Sequence, residues 1–181
     1  MKTDYTSDVG SDGLSGDTVL LRPATSADSD AIASIWFNGW RDGHLGNVPV
    51  AIHDHRRAID FQRRVPTRLA ETTVATADSG AGSVVVGFVM VTNDEVEQIY
   101  VDASARGTGV ATALLLHGEQ LIYSRFDVAW LAVVAGNHRA RRFYERNGWV
   151  DRGPHDYGAQ IDGGSFSLPV RRYEKRSGSG R

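Results

Sequence analysis

The chain has 181 residues, of which 41% are hydrophobic and 23% are charged, and its formal net charge is −2. This balance predicts one globular domain with a sizeable core and argues against a strong uniform field for binding nucleic acid or a membrane. The sequence contains no cysteine, which excludes a disulfide scaffold, a thiolate zinc site and a cysteine nucleophile. Any acyl transfer would therefore pass directly between substrates or use a group other than sulfur.

The two ends of the chain are rich in serine and glycine. We expect residues 1–17 and 177–181 to form disordered tails around one domain at residues 18–176. The N-terminus lacks the basic start and apolar run of a secretory signal, and no segment has the length of a membrane helix. A cytoplasmic location is therefore expected.

The first part of the domain predicts one strand and two helical regions. Val19–Pro23 is a short apolar run closed by proline, which indicates a strand. Thr25 and Asp28 have the spacing of a capping box and predict a helix that the stretch 43–49 ends. Residues 50–69 mix apolar and charged positions and predict an irregular, amphipathic second helical region.

From residue 72 the pattern changes to strands, which are predicted at 72–76, 84–91 and 96–101. Turn candidates at 78–80 and 92–94 separate them and predict an antiparallel meander.

The last part of the domain alternates strands and helices. A helix follows from the apolar spacing between Val110 and Ile122, and the continuous apolar run 128–134 is typical of a central strand. A further helix is predicted from Asn137 to Asn147, with Gly148 ending it. Final strands are predicted at 149–150 and 165–173, with Gly163-Gly164 as a turn. The fold class is α/β (mixed α+β), with a mixed sheet flanked by helices.

A glycine-rich loop joins the strand ending at Val101 to the next helix and reads Arg106-Gly107-Thr108-Gly109-Val110-Ala111. Glycines let backbone amides converge, and the first helical turn adds unpaired N–H groups, so the loop is a candidate phosphate cradle. A loop that merely caps the helix is the competing interpretation. It is neither a Walker loop nor a dinucleotide fingerprint, which disfavours nucleotide hydrolysis and Rossmann redox chemistry.

Three connected motifs resemble the GNAT superfamily of N-acetyltransferases. They are the strand Ile99-Tyr100-Val101, the Arg/Gln-x-x-Gly-x-Gly/Ala motif as Arg106, Gly109 and Ala111, and Asn137-x-x-Ala140-x-x-Phe143-Tyr144-x-x-x-Gly148-Trp149. A weaker resemblance extends over nearly the whole chain, and the helices before Thr72 resemble those of phosphinothricin-type acetyltransferases. The resemblance implies a central, mostly antiparallel sheet with two splayed strands that form an acetyl-CoA cleft.

The resemblance also implies acetyl-CoA as co-substrate and no metal. Main-chain amides of the loop would bind the pyrophosphate, and the backbone of the preceding strand would pair with the pantetheine arm and polarise the thioester carbonyl. Asn137 would hold the pantetheine, cap its helix, or do both. Carried over by position, the cofactor-binding residues are Ile99, Tyr100, Val101, Arg106, Gly107, Thr108, Gly109, Val110, Ala111, Thr112 and Asn137.

Tyr144 is the predicted proton donor to the departing CoA thiolate. The reference pKa is about 10 for tyrosine and about 8.5 for a thiol, so this transfer has a modest cost if the two groups are in contact. The competing interpretation is a core aromatic residue on a helix.

Glu97 is the leading candidate for the base that removes the amine proton, because strand parity places it on the face of Ile99 and Val101. A solvated or arginine-paired carboxylate and a water chain are the alternatives, and Glu95 or Gln98 would take its place if a bulge shifted the register. Ala132 stands where some family members have an acidic residue, which weakens the analogy with the branch that acetylates ribosomal proteins.

The variable helices are expected to build the acceptor pocket. Trp40 and His44 are the candidate substrate-binding residues, because they combine an aromatic wall with a titratable group, whereas Trp36 is expected in the core. His53 and His55 are expected to be a surface pair rather than metal ligands. Three arginines of the last helix are expected to form a solvated face: Arg139, Arg141 and Arg142. A contact between one of them and the CoA 3′-phosphate is the less favoured alternative.

The sequence therefore predicts an enzyme that transfers acetyl from acetyl-CoA to a primary amine by direct attack in a ternary complex. The expected acceptor is a small molecule such as an amino acid or an antibiotic-like compound. Acetylation of a protein N-terminus or lysine is a second interpretation, and an acyl-CoA-binding module without turnover is a third. Nucleic acid and membrane partners are not expected, and a homodimer is a possible assembly.

Overall fold

The computed structural model describes residues 19–79, 82–161 and 164–178. Both predicted tails except Ser177 and Gly178, and one residue in each of two predicted turns, Gly80 and Gly163, lie outside them. The described part contains seven strands: β1 (Leu20–Pro23), β2 (Thr72–Asp78), β3 (Ser83–Thr92), β4 (Glu95–Val101), β5 (Val128–Val134), β6 (Val150–Ile161) and β7 (Gly164–Arg176). Its four α-helices are α1 (Ser29–His44), α2 (Ala58–Arg64), α3 (Val110–Tyr123) and α4 (His138–Arg146).

The seven strands form one sheet in the order β1-β2-β3-β4-β5-β7-β6. Every neighbouring pair is antiparallel except β4 and β5, which run parallel. The meander from β2 to β4 is therefore confirmed, as is the mixed, mostly antiparallel sheet flanked by helices.

The helices cover the sheet on both faces and enclose two cores. On one face α1 and α2 bury Trp36, whose ring meets Phe61 edge-on at 5.3 Å and Phe88 at 6.0 Å between centroids. On the other face α3 buries Leu114 and its neighbours against β4, β5 and β7. Each core uses the apolar face of an amphipathic helix, which is the pattern that predicted these helices.

The ends of two helices follow the capping rules. Asp28 accepts hydrogen bonds from the backbone N–H of Thr25 (2.8 Å) and from its hydroxyl (2.9 Å), just before α1. Arg22 reaches the same carboxylate at 2.7 Å and, with Thr25, holds the pKa of Asp28 well below its usual range. At the other end of the chain, Asn137 caps α4 by accepting from the Ala140 N–H at 3.1 Å.

One element is much longer than predicted. The sequence indicated a strand at 149–150, whereas β6 continues to Ile161 and pairs with β7 along that length. Pro154 and the glycines of this segment are poor strand formers and concealed it. They are tolerated because β6 is the last strand of the sheet, where a proline need not donate to a neighbour.

Candidate active site

The central feature of the site is a split between β4 and β5. These strands are in register only at Glu95 and Trp130, next to a hydrogen bond of 2.9 Å from the Trp130 N–H to the Asp94 carbonyl. Beyond this point β4 and β5 no longer pair, while the opposite edge of β5 pairs with β7 along its whole length. One edge of β4 is therefore open from Val96 to Val101.

The open edge presents the backbone of Ile99 and Val101. The Asp102 N–H donates to the Val86 carbonyl at 2.8 Å, and the pairing of β3 with β4 continues back along the strand. Because hydrogen-bonding direction alternates along an antiparallel strand, Tyr100 bonds towards β3. The N–H and C=O groups of Ile99 and Val101 then point into the split, as the pantetheine prediction requires.

A cleft of about 160 Å³ occupies the split. Residues 96–100 of β4 and 132–134 of β5 form its two sides, and α4 contributes Asn137 and Tyr144. The helical layer and the last strands close it with ten further residues: Trp36, Trp40, His44, Ile52, Arg56, Arg64, Tyr157, Ala159, Leu168 and Val170.

Helix α1 lies across the mouth of the cleft and approaches both of its sides. A Cβ on Gly39 would stand 2.2 Å from Cδ1 of Tyr100 on β4, and one on Gly43 would stand 2.8 Å from Nδ2 of Asn137. Both distances are shorter than a Cβ contact allows, so this approach requires glycine at the two positions. Glycine thus lets one helix contact the two sides of the split.

The glycine-rich loop has the geometry of an anion site. Gly107 (φ +82°) and Gly109 (φ +90°) both adopt the left-handed conformation that favours glycine. The first hydrogen bond of α3 runs from the Ala113 N–H to the Gly109 carbonyl at 3.0 Å. The amides before Ala113 therefore have no helical acceptor and can donate to a ligand.

Arg106, which opens this loop, makes an ion pair with Asp42 of α1 at 2.6 Å. A hollow of about 350 Å³ lies beside this pair, between α1 and the end of β4. Both side chains are partly exposed, so the ion pair is screened and Arg106 can exchange partners at small cost.

Tyr144 is both a core aromatic residue and a cleft residue. Its ring packs against Trp149 and Tyr173, each at 6.2 Å between centroids, and only 8% of the residue is exposed. Its hydroxyl makes no hydrogen bond to any residue that the structure describes. Burial raises the pKa of Tyr144, so the hydroxyl keeps its proton at neutral pH, and transfer of that proton to a thiolate costs more than it would from an ordinary tyrosine.

The parity argument for Glu97 is wrong, because β4 contains a bulge. Val96 pairs with Val91 and Gln98 with Met90, so Glu97 is an extra residue without a partner on β3. The side chains of Ile99 and Val101 pack against the core under α3, whereas the Glu97 side chain meets Arg68 and Thr92, although Glu97 and Ile99 both line the cleft.

In that position Glu97 is an arginine-paired carboxylate. Arg68 donates to both of its oxygens, at 2.9 Å to Oε1 and in closer contact with Oε2, and the Thr92 hydroxyl donates at 3.1 Å. These donors outweigh the effect of burial and lower the pKa of Glu97. The arrangement favours a permanently ionised carboxylate.

Glu95 was expected to take the place of Glu97 if a bulge shifted the register, and its pKa is shifted in the opposite direction. Burial and the nearby charge of Glu97 raise its pKa to about 7, while a hydrogen bond with Tyr157 opposes the shift. Tyr157 lines the cleft, so this one residue separates Glu95 from the cleft.

His44 is held neutral beside the cleft. Its ring stacks on Trp40 at 5.2 Å with a tilt of 10°, and Nδ1 lies 2.9 Å from the Trp40 carbonyl oxygen. Burial lowers the pKa of His44 to about 4. Trp40 is 6% exposed and belongs to the core under α1 while also lining the cleft.

Two surface predictions need correction. The Nε2 atom of His53 is buried without a hydrogen-bond partner in the described part of the chain, and its ring meets Trp40 edge-on at 5.8 Å, so His53 is half-buried rather than fully on the surface. Arg141 donates to the Tyr173 hydroxyl at 3.1 Å, while Arg139 and Arg142 are exposed as expected. Among the described residues, no group of His, Asp and Glu could hold a metal ion, and none of their helices has the length and hydrophobicity to cross a membrane.

Sequence reasoning missed three polar side chains that line the cleft: Arg56, Arg64 and Tyr157. The two arginines belong to a segment with many charged residues, and no spacing distinguishes them from its exposed arginines. Tyr157 lies in β6, which was not predicted.

The family model for the acetyltransferase (GNAT) family matches residues 33–149. A comparison with curated protein sequences finds no significant match. A solved GCN5-related N-acetyltransferase from Rhodopseudomonas palustris is 22% identical, with a TM-score of 0.66, and the match covers 93% of this chain and 100% of that chain.

Two further solved structures are similar. A putative acetyltransferase (yncA) from Salmonella typhimurium, with its cofactor acetyl-CoA, is 17% identical over 91% of this chain and 96% of that one, with a TM-score of 0.63. A ribosomal-protein-alanine N-acetyltransferase from Brucella melitensis is 21% identical over 87% and 99%, with a TM-score of 0.61. The split sheet, the glycine-rich loop and a family match over more than half of the sequence agree, and the chain belongs to the acetyltransferase (GNAT) family.

Proposed function

We propose that the protein transfers an acetyl group from acetyl-CoA to a primary amine of a small molecule within a ternary complex, through the domain at residues 18–176. The observation that supports it most is the split between β4 and β5, whose open edge leads from the glycine-rich loop to the Tyr144 hydroxyl. The similar structure from Salmonella typhimurium is described with acetyl-CoA as its cofactor.

The donor would lie along the open edge of β4. Its pyrophosphate would accept hydrogen bonds from the free amides of residues 107–112, and Arg106 would exchange Asp42 for a phosphate oxygen. The pantetheine arm would pair with the backbone of Ile99 and Val101 as an added strand does. Asn137 keeps its cap and still has its amide nitrogen for the pantetheine.

In the reaction, the amine nitrogen attacks the thioester carbonyl carbon and forms the new C–N bond. An N–H of the open edge stabilises the negative charge that develops on the carbonyl oxygen. The C–S bond then breaks, and the thiolate takes a proton from the Tyr144 hydroxyl. No residue is acylated, which suits a chain without cysteine.

Two carboxylates are proposed for the proton that the amine loses. Glu97 lines the cleft, but its pairing with Arg68 weakens it as a base. Glu95 has a pKa of about 7, matched to neutral pH, and its route to the cleft passes through Tyr157. A pH–rate profile of a variant at each position assigns the role. The base is the residue whose substitution abolishes the fall in rate on the acidic side.

The acceptor would share with the thioester a cleft of about 160 Å³, below the range of about 300–1,000 Å³ for pockets that take drug-sized ligands. A small amine and a protein terminus both fit this limit, and the resemblance of the first helices to phosphinothricin-type acetyltransferases favours the small amine. Acetylation of a protein terminus is the competing function, and a panel that contains both small amines and peptides separates the two.

The decisive experiment compares Tyr144→Phe with the wild type. We expect turnover, followed by thiol release, to fall by about 10²- to 10⁴-fold, while calorimetry shows unchanged binding of acetyl-CoA. The matched control is Tyr123→Phe, because the Tyr123 hydroxyl donates to the Lys175 carbonyl at 3.2 Å outside the cleft. Wild-type turnover in Tyr144→Phe would refute the assigned role, and a wild type that binds acetyl-CoA without acetylating any amine would be a binding module.

A further inference from the structure

Arg64 is a cation that lines the cleft, near enough to Glu97 to feel its charge but without an ion pair to any described residue. It is the last residue of α2, and its guanidinium lies over the Trp36 ring, 4.9 Å from the centroid. Among the described residues none forms a hydrogen bond or an ion pair with this guanidinium, although the Thr67 hydroxyl donates to the Arg64 backbone carbonyl at 2.9 Å. It is partly buried and lines the same cleft as Ile99 and Tyr144.

The neighbouring arginine shows what Arg64 lacks. Arg68 lies one helical turn further along the chain and pairs with Glu71 and Glu97. Glu97 is the only acidic side chain among the described residues that line the cleft, and Arg68 already contacts both of its oxygens. The cleft therefore offers Arg64 no carboxylate of its own in the described part of the protein.

An unpaired guanidinium that is partly withdrawn from water is costly, and burial lowers the pKa of Arg64. A bound anion would offset this cost. The planar fork of arginine matches a carboxylate with two parallel hydrogen bonds, and the ring of Trp36 fixes the plane of the fork.

We propose that Arg64 binds a carboxylate of the acceptor, so that the substrate is an amine that also carries a carboxylate, as amino acids do. This proposal rests on the proposed function and specifies its substrate class. The amine would meet the thioester at the open edge of β4, and the carboxylate would lie on Arg64 at the wall formed by α2. A polyamine or an aminoglycoside, which carries only positive charge, would be repelled by Arg64.

The test uses the common amino acids and their carboxamides as acceptors, which differ in the charge at the carboxyl group, and kcat/KM is expressed per unprotonated amine because the amide also lowers the amine pKa. For the wild type we expect kcat/KM to favour the acid over its amide by about 10- to 100-fold, the range of a hydrogen bond to a charged group. In Arg64→Gln this preference should fall to near unity, with the amide little affected, and Arg64→Lys should retain part of it. Arg63→Gln is the matched control, because Arg63 is exposed on the same helix.

A second measurement does not need turnover. Calorimetric titration of the amino acids into the wild type and Arg64→Gln, both saturated with CoA, should show binding that the variant loses. Binding that depends on Arg64 but without acetylation would overturn the proposed function alone. Equal use of acids and amides by the wild type, unchanged discrimination in Arg64→Gln, or the absence of both binding and turnover would overturn the assignment of Arg64.

Discussion

His44 should make the protein sensitive to acid in a way that one substitution removes. Its pKa is about 4 in the folded protein and about 6.5 in an unfolded chain. Because the folded pKa is the lower one, acid protonates the unfolded chain first, and stability that is present above about pH 6.5 is lost as the pH falls towards 4. The difference of about 2.5 units corresponds to about 3.4 kcal/mol in full, of which about 2 kcal/mol is lost between about pH 7 and pH 5.

The measurement is urea unfolding of the wild type and His44→Gln, without ligands, at about pH 7 and pH 5. The variant cannot titrate, so its stability relative to the wild type should rise by about 2 kcal/mol on going to the lower pH. His138→Gln provides the matched control at an exposed histidine of α4. If the difference in unfolding free energy between His44→Gln and the wild type is the same at both pH values, the conclusion that His44 is buried and neutral is refuted.

Three further substitutions test other parts of the site. Gly39→Ala places a Cβ against the Tyr100 ring, and we expect a loss of about 1–3 kcal/mol in urea unfolding together with a higher KM for the acceptor. Glu95→Gln removes a carboxylate whose folded pKa is raised to about 7. Because the folded pKa is the higher one, the wild type has its full stability below about pH 4.5 and loses part of it as the pH rises through about 7, so the variant should gain about 1–2 kcal/mol above pH 8 after screening and nothing below about pH 4. Gly109→Ala forces a side chain into φ +90°, which should cost about 1–2 kcal/mol and weaken acetyl-CoA binding in calorimetry.

How far the sequence predicts the site depends on the kind of signal each residue leaves. The strand that contains Ile99, the glycine-rich loop after it and the helix that follows were predictable from the sequence. Turn chemistry and apolar periodicity are properties of neighbouring residues, so a local pattern reveals them. The bulge at Glu97 was not, since one extra residue in a strand changes the facing of a side chain without changing composition. The register of β4 was fixed by its partners, and only the structure shows them.

Arg64 illustrates a second limit. Its segment contains several arginines that look alike in the sequence, and which of them faces the cleft depends on how the short helix α2 packs on α1. Trp36 decides this, because its ring supports Phe61 at one edge and Arg64 over its face. Packing between elements that are distant in sequence determines that Arg64 faces the cleft, and no local sequence pattern indicates it.

Helix α1 ties the acceptor side of the cleft to the donor side, with Gly39 against β4 and Gly43 against the cap of α4. A change in α1 therefore affects both the acceptor preference and the geometry of the donor side. A larger side chain on α1, introduced to admit a new amine, should also spread the strands that we propose hold the thioester, so selection for a new acceptor should enrich compensating changes at Tyr100 and Asn137. Specificity in this enzyme should evolve by paired substitutions across the split.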